Sequence, residues 1–188
     1  AWQADRRDGR DTILMAPTNP VVAELNERAR LARLRALAAL PANEQPDATE
    51  IRLADGLQAS AGDTICTRRN ARWLRLGRTD FVRNGYRWTV EKVNADGSIR
   101  AVRRGTGQRV TLPTDYIAEH VTLGYAATID TNQGVTADTC HIVGSDSLSR
   151  QLLYVALTRG RHRNDIYLST AETDPHRILT PKATHPDT

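Results

Sequence analysis

The spacing of apolar residues along this chain changes character twice. Thr12-Ile13-Leu14-Met15-Ala16 is a short apolar run that meets Pro17-Thr18-Asn19-Pro20, where Thr18 or Asn19 can cap a helix and Pro20 suits its first position. The pattern predicts a strand running into a helix over about 20–40. Val22, Leu25, Ala29, Ala32, Ala36 and Leu40 then face a core, Glu24, Arg28 and Arg35 face water, and Pro41 ends the helix. Residues 42–55 are acidic, carry Pro46 and read as a loop with a short strand at Ile51-Leu53.

From Asp63 the period becomes two, which predicts strands at 64–67, 86–93, 98–102 and 109–112. Asn84-Gly85, Asp96-Gly97 and Gly105-Thr106-Gly107 supply the turns. Closing these strands into a small antiparallel SH3-like barrel removes their open edges. Past Pro113 come a helical turn at 114–117, a strand at 121–126, a helix start at Asn132-Gln133-Gly134, a strand at 141–144, a helix at 148–158 and a strand at 165–169. Strands alternating with helices imply a mostly parallel sheet covered on both faces. The expected organisation is an α/β lobe in two parts, 1–60 and 114–171, with the barrel inserted at 61–113 and a polar, Pro-rich, disordered tail at 172–188.

Charge sharpens this picture. The net charge is +4 over 188 residues, yet 63–112 holds twelve basic residues against four acidic ones, so the rest of the chain is net negative. The basic residues are nearly all arginine, whose planar fork suits phosphate and stacks on bases. A solvated Arg-rich surface is the other reading of the same stretch. Trp73, Phe81, Tyr86 and Trp88 share this segment; Trp88 and Phe81 are assigned first to the barrel core, and Trp73 to stacking on bases. Cys66 and Cys140 lie far apart with no ligand spacing, which predicts neither disulfide nor zinc site and makes a reducing cytoplasm the default. No apolar run approaches a membrane span. The five histidines, His120, His141, His162, His176 and His185, form no catalytic spacing and are expected to be structural or solvated. The opening Ala1-Trp2-Gln3, without a Met, suggests a segment of a longer polypeptide.

Three segments carry a family resemblance. Residues 12–19, continuing to Leu25-Asn26-Glu27-Arg28-Ala29-Arg30, resemble the fourth helicase motif of superfamily 1B enzymes. Gly124-Tyr-Ala-Ala-Thr-Ile-Asp-Thr-Asn-Gln-Gly134 resembles the fifth, and Leu153-Tyr-Val-Ala-Leu-Thr-Arg-Gly-Arg161 the sixth. With a small barrel between the fourth and fifth motifs, the order is similar to the C-terminal RecA-like, P-loop-NTPase-type lobe (UvrD-like C-terminal) of TrwC/TraI-type conjugative relaxase-helicases. The resemblance implies a lobe of an ATP-dependent DNA helicase with 5′ to 3′ travel, acting in conjugative transfer. Its partners would be single-stranded DNA, an N-terminal RecA-like lobe and a relaxase domain of the same polypeptide.

The sixth motif also stands on physical grounds. A phosphoryl-transfer site between two lobes needs a cation delivered to the γ-phosphate, and Arg159, following an apolar helix, is the candidate arginine finger. The plainer alternative is a cluster of arginines complementing a helix C-terminus. Through the resemblance, Gln133, Gly134, Arg159 and Arg161 are expected at the nucleotide, and Thr18, Asn19, Thr128 and Asn132 at DNA. The barrel contributes Arg68, Arg69, Arg72, Trp73 and Arg75 to the expected DNA contacts. Where the family carries His followed by Lys or Arg, this chain has Asp130 and Thr131, replacing attraction to phosphate with repulsion. The sequence contains no Gly-x-x-x-x-Gly-Lys-[Ser/Thr] and no Asp-Glu dipeptide, so ATP and Mg2+ are expected to be held mostly by the preceding lobe, and the fragment to be inactive alone. A non-catalytic DNA- or partner-binding module derived from such a lobe is the alternative.

Overall fold

The chain begins with a short helix, α1 (Trp2–Arg7), then turns into β1 (Thr12–Ala16), all five of whose residues are buried. The structure, a computed structural model, describes residues 1–45, 49–132, 136–144 and 148–168, except for the side chains of Ala42 and Asn132. Helix α2 (Asn19–Ala38) follows, with Thr18 at its N-cap position and Pro20 in its first turn. It buries Val22, Asn26 and Ala29; the Asn26 side-chain oxygen accepts the Ala126 N–H at 2.8 Å, tying the helix to a strand a hundred residues away.

The middle of the chain is antiparallel. Strands β2 (Ile51–Arg52), β3 (Gln58–Ala59), β4 (Thr64–Thr67), β5 (Ala71–Arg75), β6 (Phe81–Val82), β7 (Arg87–Val93), β8 (Ile99–Arg103) and β9 (Arg109–Leu112) precede α3 (Thr114–His120) and β10 (Val121–Leu123). The main sheet has the order β10-β4-β7-β8-β9, while β2-β3 and β5-β6 form separate pairs. Trp88, Ile65, Ile99, Leu112, Ile117 and Leu123 are fully buried in its core, and Gly85, Gly97, Gly105 and Gly107 take the positive φ values that the turns between strands require.

The chain then returns to a parallel sheet through β11 (Ala126–Thr128), β12 (Ala137–Gly144), α4 (Arg150–Leu157) and β13 (Gly160–Leu168), in the order β11-β1-β12-β13. Leu152 and Val155 of α4 pack on the cluster of Ile13, Met15, Cys140 and Ile142, whereas α2 packs on Leu14, Ala16 and Ala126. Both faces of β1 are therefore covered. Cys66 and Cys140 are buried and free. No helix among the described residues is long and apolar enough to cross a membrane.

Several elements differ from the sequence expectation. The strand expected over 121–126 is divided. Val121–Leu123 pairs with β4 in the barrel sheet, and only Ala126–Thr128 joins the lobe, so the antiparallel unit extends beyond the expected 61–113. Gly124 makes the break because the chain presses against the barrel: a Cβ there would lie 2.7 Å from the Ile65 carbonyl carbon. The stretch 70–75, expected as a loop, is half of the β5–β6 hairpin, and Phe81 lies half-buried on that hairpin between Arg72 and Arg83 instead of in the core. The last two lobe strands are longer than expected because their polar N-terminal halves pair along the sheet edge. The expected helix start at 132–134 and the tail at 172–188 lie outside the described residues, apart from the backbone of Asn132, which ends a short 3-10 turn.

One buried carboxylate collects bonds from both the barrel and the lobe. Asp63, just before β4, is fully buried. Its Oδ1 accepts from Arg33 Nε at 2.8 Å and from the Tyr125 hydroxyl; its Oδ2 accepts from Arg30 Nε at 3.2 Å, Arg33 Nη2 at 2.8 Å and the Ser60 N–H at 2.8 Å. Arg30 and Arg33 come from α2, and Tyr125 from the segment leaving the barrel. Removing one partner of a buried pair leaves charge uncompensated, at a cost of about 3–5 kcal/mol. Asp63→Asn is therefore expected to lower unfolding stability by about that amount in urea titration, and Glu24→Gln, which touches only an exposed i,i+4 ion pair, to change it by less than about 0.5 kcal/mol.

Candidate nucleic-acid interface

Barrel and lobe meet along a cleft of about 270 Å3. Arg68, Arg87, Arg103 and Arg104 line its barrel side, and Asp11, Thr12, Ile13, Ala126, Ala127 and Thr131 line its lobe side. The strands dictate this concentration of charge: Arg87 opens β7, Arg103 closes β8, and the Arg104 N–H bonds to the Arg87 carbonyl, so antiparallel pairing brings these arginines to one end of the sheet. Arg68 Nε donates to Thr122 Oγ1 at 2.9 Å, Arg103 pairs with Asp80 at 2.9 Å and lies 3.4 Å over the Tyr86 ring, and Arg104 has Asp11 at 3.8 Å. Burial lowers the Arg87 pKa, and nearby Arg104 and Arg68 lower it further. Arg6, between the rings of Trp2 and Tyr125, is lowered to about 10, first by burial and then by Arg104. Arginines crowded closely enough to disfavour their own charge are stabilised by an incoming anion.

Arg68 is thus separated from the other barrel residues expected at DNA. Arg69, Arg72 and Trp73 line a second cleft of about 440 Å3, with Arg75 further along β5. Trp73 is 62% exposed. Arg87, Arg103 and Arg104 had no individual assignment from the sequence, and only strand pairing gathers them with Arg68.

The lobe residues divide between the two ends of the parallel sheet. Thr128 is in register with Ala16 at the C-terminal end of β1, beside exposed Thr18 and Asn19 at the start of α2. The Thr128 and Thr131 hydroxyls lie 3.0 Å apart, and Thr131 Oγ1 also donates to the Thr128 carbonyl, tightening the turn that contains exposed Asp130. Arg159 and Arg161 flank Gly160, which is in register with Ala137 at the other end, roughly 20 Å from Thr128 along the strands. Arg159 folds back on its own helix, donating from Nε to the Val155 carbonyl and from Nη2 to Thr158 Oγ1, both at 2.9 Å. Arg161 is exposed, 4.0 Å from Asp138. Arg159 would have to release its helix before its guanidinium could meet a ligand. Gln133, Gly134 and the Asn132 side chain lie outside the described residues. Among the described residues no three His, Cys, Asp or Glu side chains gather as a metal site.

Solved structures with this architecture include the Bacteroides Pif1 bound to ssDNA, with 18% sequence identity and a TM-score of 0.54 over 80% of this chain and 38% of that one. The Candida albicans Pif1 helicase gives 15% identity and the same TM-score over 84% of this chain and 45% of its own. Residues 51–122 match a family model described as the Rv2311 SH3-like barrel domain. The fold is that of a RecA-like lobe with an inserted SH3-like barrel. Among curated proteins, the uncharacterized protein Rv2311 of Mycobacterium tuberculosis is 47% identical over 90 residues, 47% of this chain and 52% of that protein. The conjugal transfer protein TraA of Rhizobium radiobacter is 35% identical over 118 residues, 62% of this chain and 10% of TraA. The chain therefore spans about half of the mycobacterial relative and a tenth of TraA. The likeness to Pif1 is one of fold.

One buried histidine of the RecA-like lobe gave no sign of its environment in the sequence. His141 on β12 is fully buried, with Nε2 2.8 Å from Asp5 Oδ2 and Nδ1 2.7 Å from the Tyr167 hydroxyl and 3.4 Å from Asp165. Asp5 also accepts from Thr139 at 3.0 Å, Arg163 at 2.6 Å and Arg10 at 3.1 Å, which pins α1 to the sheet. Burial lowers the His141 pKa below its ordinary 6.5 and outweighs the opposing pull of Asp5 and Asp165. For Asp5, burial pushes upward, but the hydrogen bonds from His141 and Thr139 and the charge of Arg163 hold it below 3.8. As pH falls, the unfolded chain protonates at its histidine before the folded one does, so stability present above pH 6.5 is lost below it; the Asp5 contribution is lost further down, through its depressed folded value. The melting temperature is expected to fall from about pH 7 to about pH 5, and to fall less steeply in His141→Gln, as followed by circular dichroism.

Proposed function

We propose that this chain is the second motor lobe of an ATP-dependent DNA helicase or translocase acting in conjugative DNA transfer, and that single-stranded DNA passes along the junction of lobe and barrel. The observation that carries this reading is the arginine-lined cleft, where four guanidinium groups from the barrel face the turn after β11 across a gap with one carboxylate, Asp11. Phosphate contacts position a strand without reading its sequence, as a translocase requires. Thr18, Asn19, Thr128 and Asn132 would meet the strand on the lobe, and Arg68, Arg69, Arg72, Trp73 and Arg75 on the barrel. The likeness to the conjugal transfer protein TraA supports the conjugative setting. An N-terminal RecA-like lobe and a relaxase domain would be its partners in the same polypeptide, with travel 5′ to 3′. Phosphoryl transfer would come from ATP and Mg2+, held mostly by that other lobe. Arg159 would offer its guanidinium to the terminal phosphate, with Arg161, Gln133 and Gly134 beside it.

A second reading is a DNA- or partner-gripping module without motor activity. Asp130 and Thr131 favour it, and so does the mycobacterial relative, which is only about twice as long as the 90-residue match. DNA affinity in the complete protein that nucleotides leave unchanged would select it.

Each phosphate contact on a single strand contributes about −0.7 to the slope of log affinity against log salt. Arg68→Gln with Arg104→Gln is expected to weaken binding of single-stranded DNA and flatten that slope by about 1.4, measured by fluorescence anisotropy over a salt series. Unchanged affinity and slope would remove the junction from the DNA path. Arg159→Ala in the complete protein is expected to cut ATP turnover by about a thousandfold or more while DNA binding persists, with helicity checked because the side chain also holds its helix end. The chain by itself is expected to hydrolyse no ATP; turnover that co-purifies with it would contradict this division of labour.

A further inference from the structure

The second cleft differs in chemistry from the junction. Its charged residues are Arg69 and Arg72 against Asp115 and Glu119, so it carries no net attraction for a phosphodiester. What it offers is an exposed indole held in place. Trp73 meets Tyr116 in a T-shaped contact, with centroids 6.1 Å apart and planes at 88°, which covers at most one face of the indole. Tyr116 is buried, donates its hydroxyl to the Arg69 carbonyl and packs edge-on against His120 at 5.3 Å. Arg69 Nη1 lies 3.0 Å from His120 Nε2. The platform is therefore fixed by α3 before any ligand arrives.

We propose that the cleft between the β5–β6 hairpin and α3 holds one unpaired nucleobase, stacked on Trp73, with its polar edge toward Arg69, Arg72, Asp115 and Glu119. Guanidinium groups donate and carboxylates accept, which matches a base edge carrying both kinds of group and does not match a phosphate. Stacking tolerates any base because every base has a π-face. This rests on the proposal that the strand follows the barrel: phosphates are held at the junction, and a base is turned into the second cleft.

The test uses the full chain with two single strands of equal phosphate number, oligothymidine and an abasic strand, titrated over a salt series. Oligothymidine is expected to bind about tenfold or more tightly than the abasic strand, with the same salt slope. Trp73→Ala is expected to abolish the difference while leaving the slope unchanged, and Trp73→Phe to retain part of it. The exposure of Trp73 keeps both substitutions compatible with folding. Equal binding of the two strands by the wild type would overturn the base cleft while leaving the phosphate path standing. Binding of neither strand would overturn both.

Discussion

The buried Asp63 carboxylate is the contact on which the relation between the two halves depends. It receives two arginines from α2, a tyrosine hydroxyl from the returning chain and backbone from the start of the barrel. An isolated carboxylate in this position would be costly, and so would Arg30 and Arg33 without it. The cost of misplacing any one group fixes all of them. Because Asp63 stands just before β4 and the chain leaves the barrel through Gly124 and Tyr125, this cluster ties the barrel to α2 where the two parts meet. The arginine cleft is a product of that meeting: its two walls belong to different sheets.

Electrostatics makes the junction more than a seam. The barrel gathers positive charge at one end of its sheet, and burial depresses Arg87 and Arg6 below the ordinary arginine range. Charge held in a way that weakens itself favours an anion that enters and neutralises it. The hairpin cleft, with balanced charge and an open indole, complements that preference. Phosphate and base are the two parts of one nucleotide strand, and the proposed path would give each its own cleft.

The parallel sheet separates two groups of proposed site residues along its length. Thr18, Asn19 and Thr128 gather at its C-terminal end and Arg159 and Arg161 at its N-terminal end, so contact with a strand and contact with a nucleotide phosphate would not compete for space. In the lobe as it stands, Arg159 caps its own helix, and this bond must be exchanged for any role at a phosphate. A second element, α1, is drawn onto the sheet by Asp5, whose partners His141, Thr139 and Arg163 all come from the two strands at that edge.

Local chemistry made much of this architecture legible in the sequence. The run 12–16, the Pro20 helix start, the period-two strands and their Gly turns depend on neighbours a few residues away, and β1, α2, β4, β7, β8 and β9 follow them closely. An α/β lobe with an inserted barrel was readable for the same reason, its RecA-like character came through the resemblance of three segments, and the concentration of arginine in the barrel needed only counting. Tertiary structure decided what depends on distant partners. The hairpin that carries Trp73, the transfer of Val121–Leu123 to the barrel, and α1 have weak local patterns and are stabilised by contacts made across the fold. The division of the expected DNA residues into an arginine junction and an aromatic cleft is of the same kind, because Arg68 and Arg69 are adjacent in the chain but line different cavities. Sequence determines which charges and rings are available; the pairing of strands far apart in the chain determines which of them share a site.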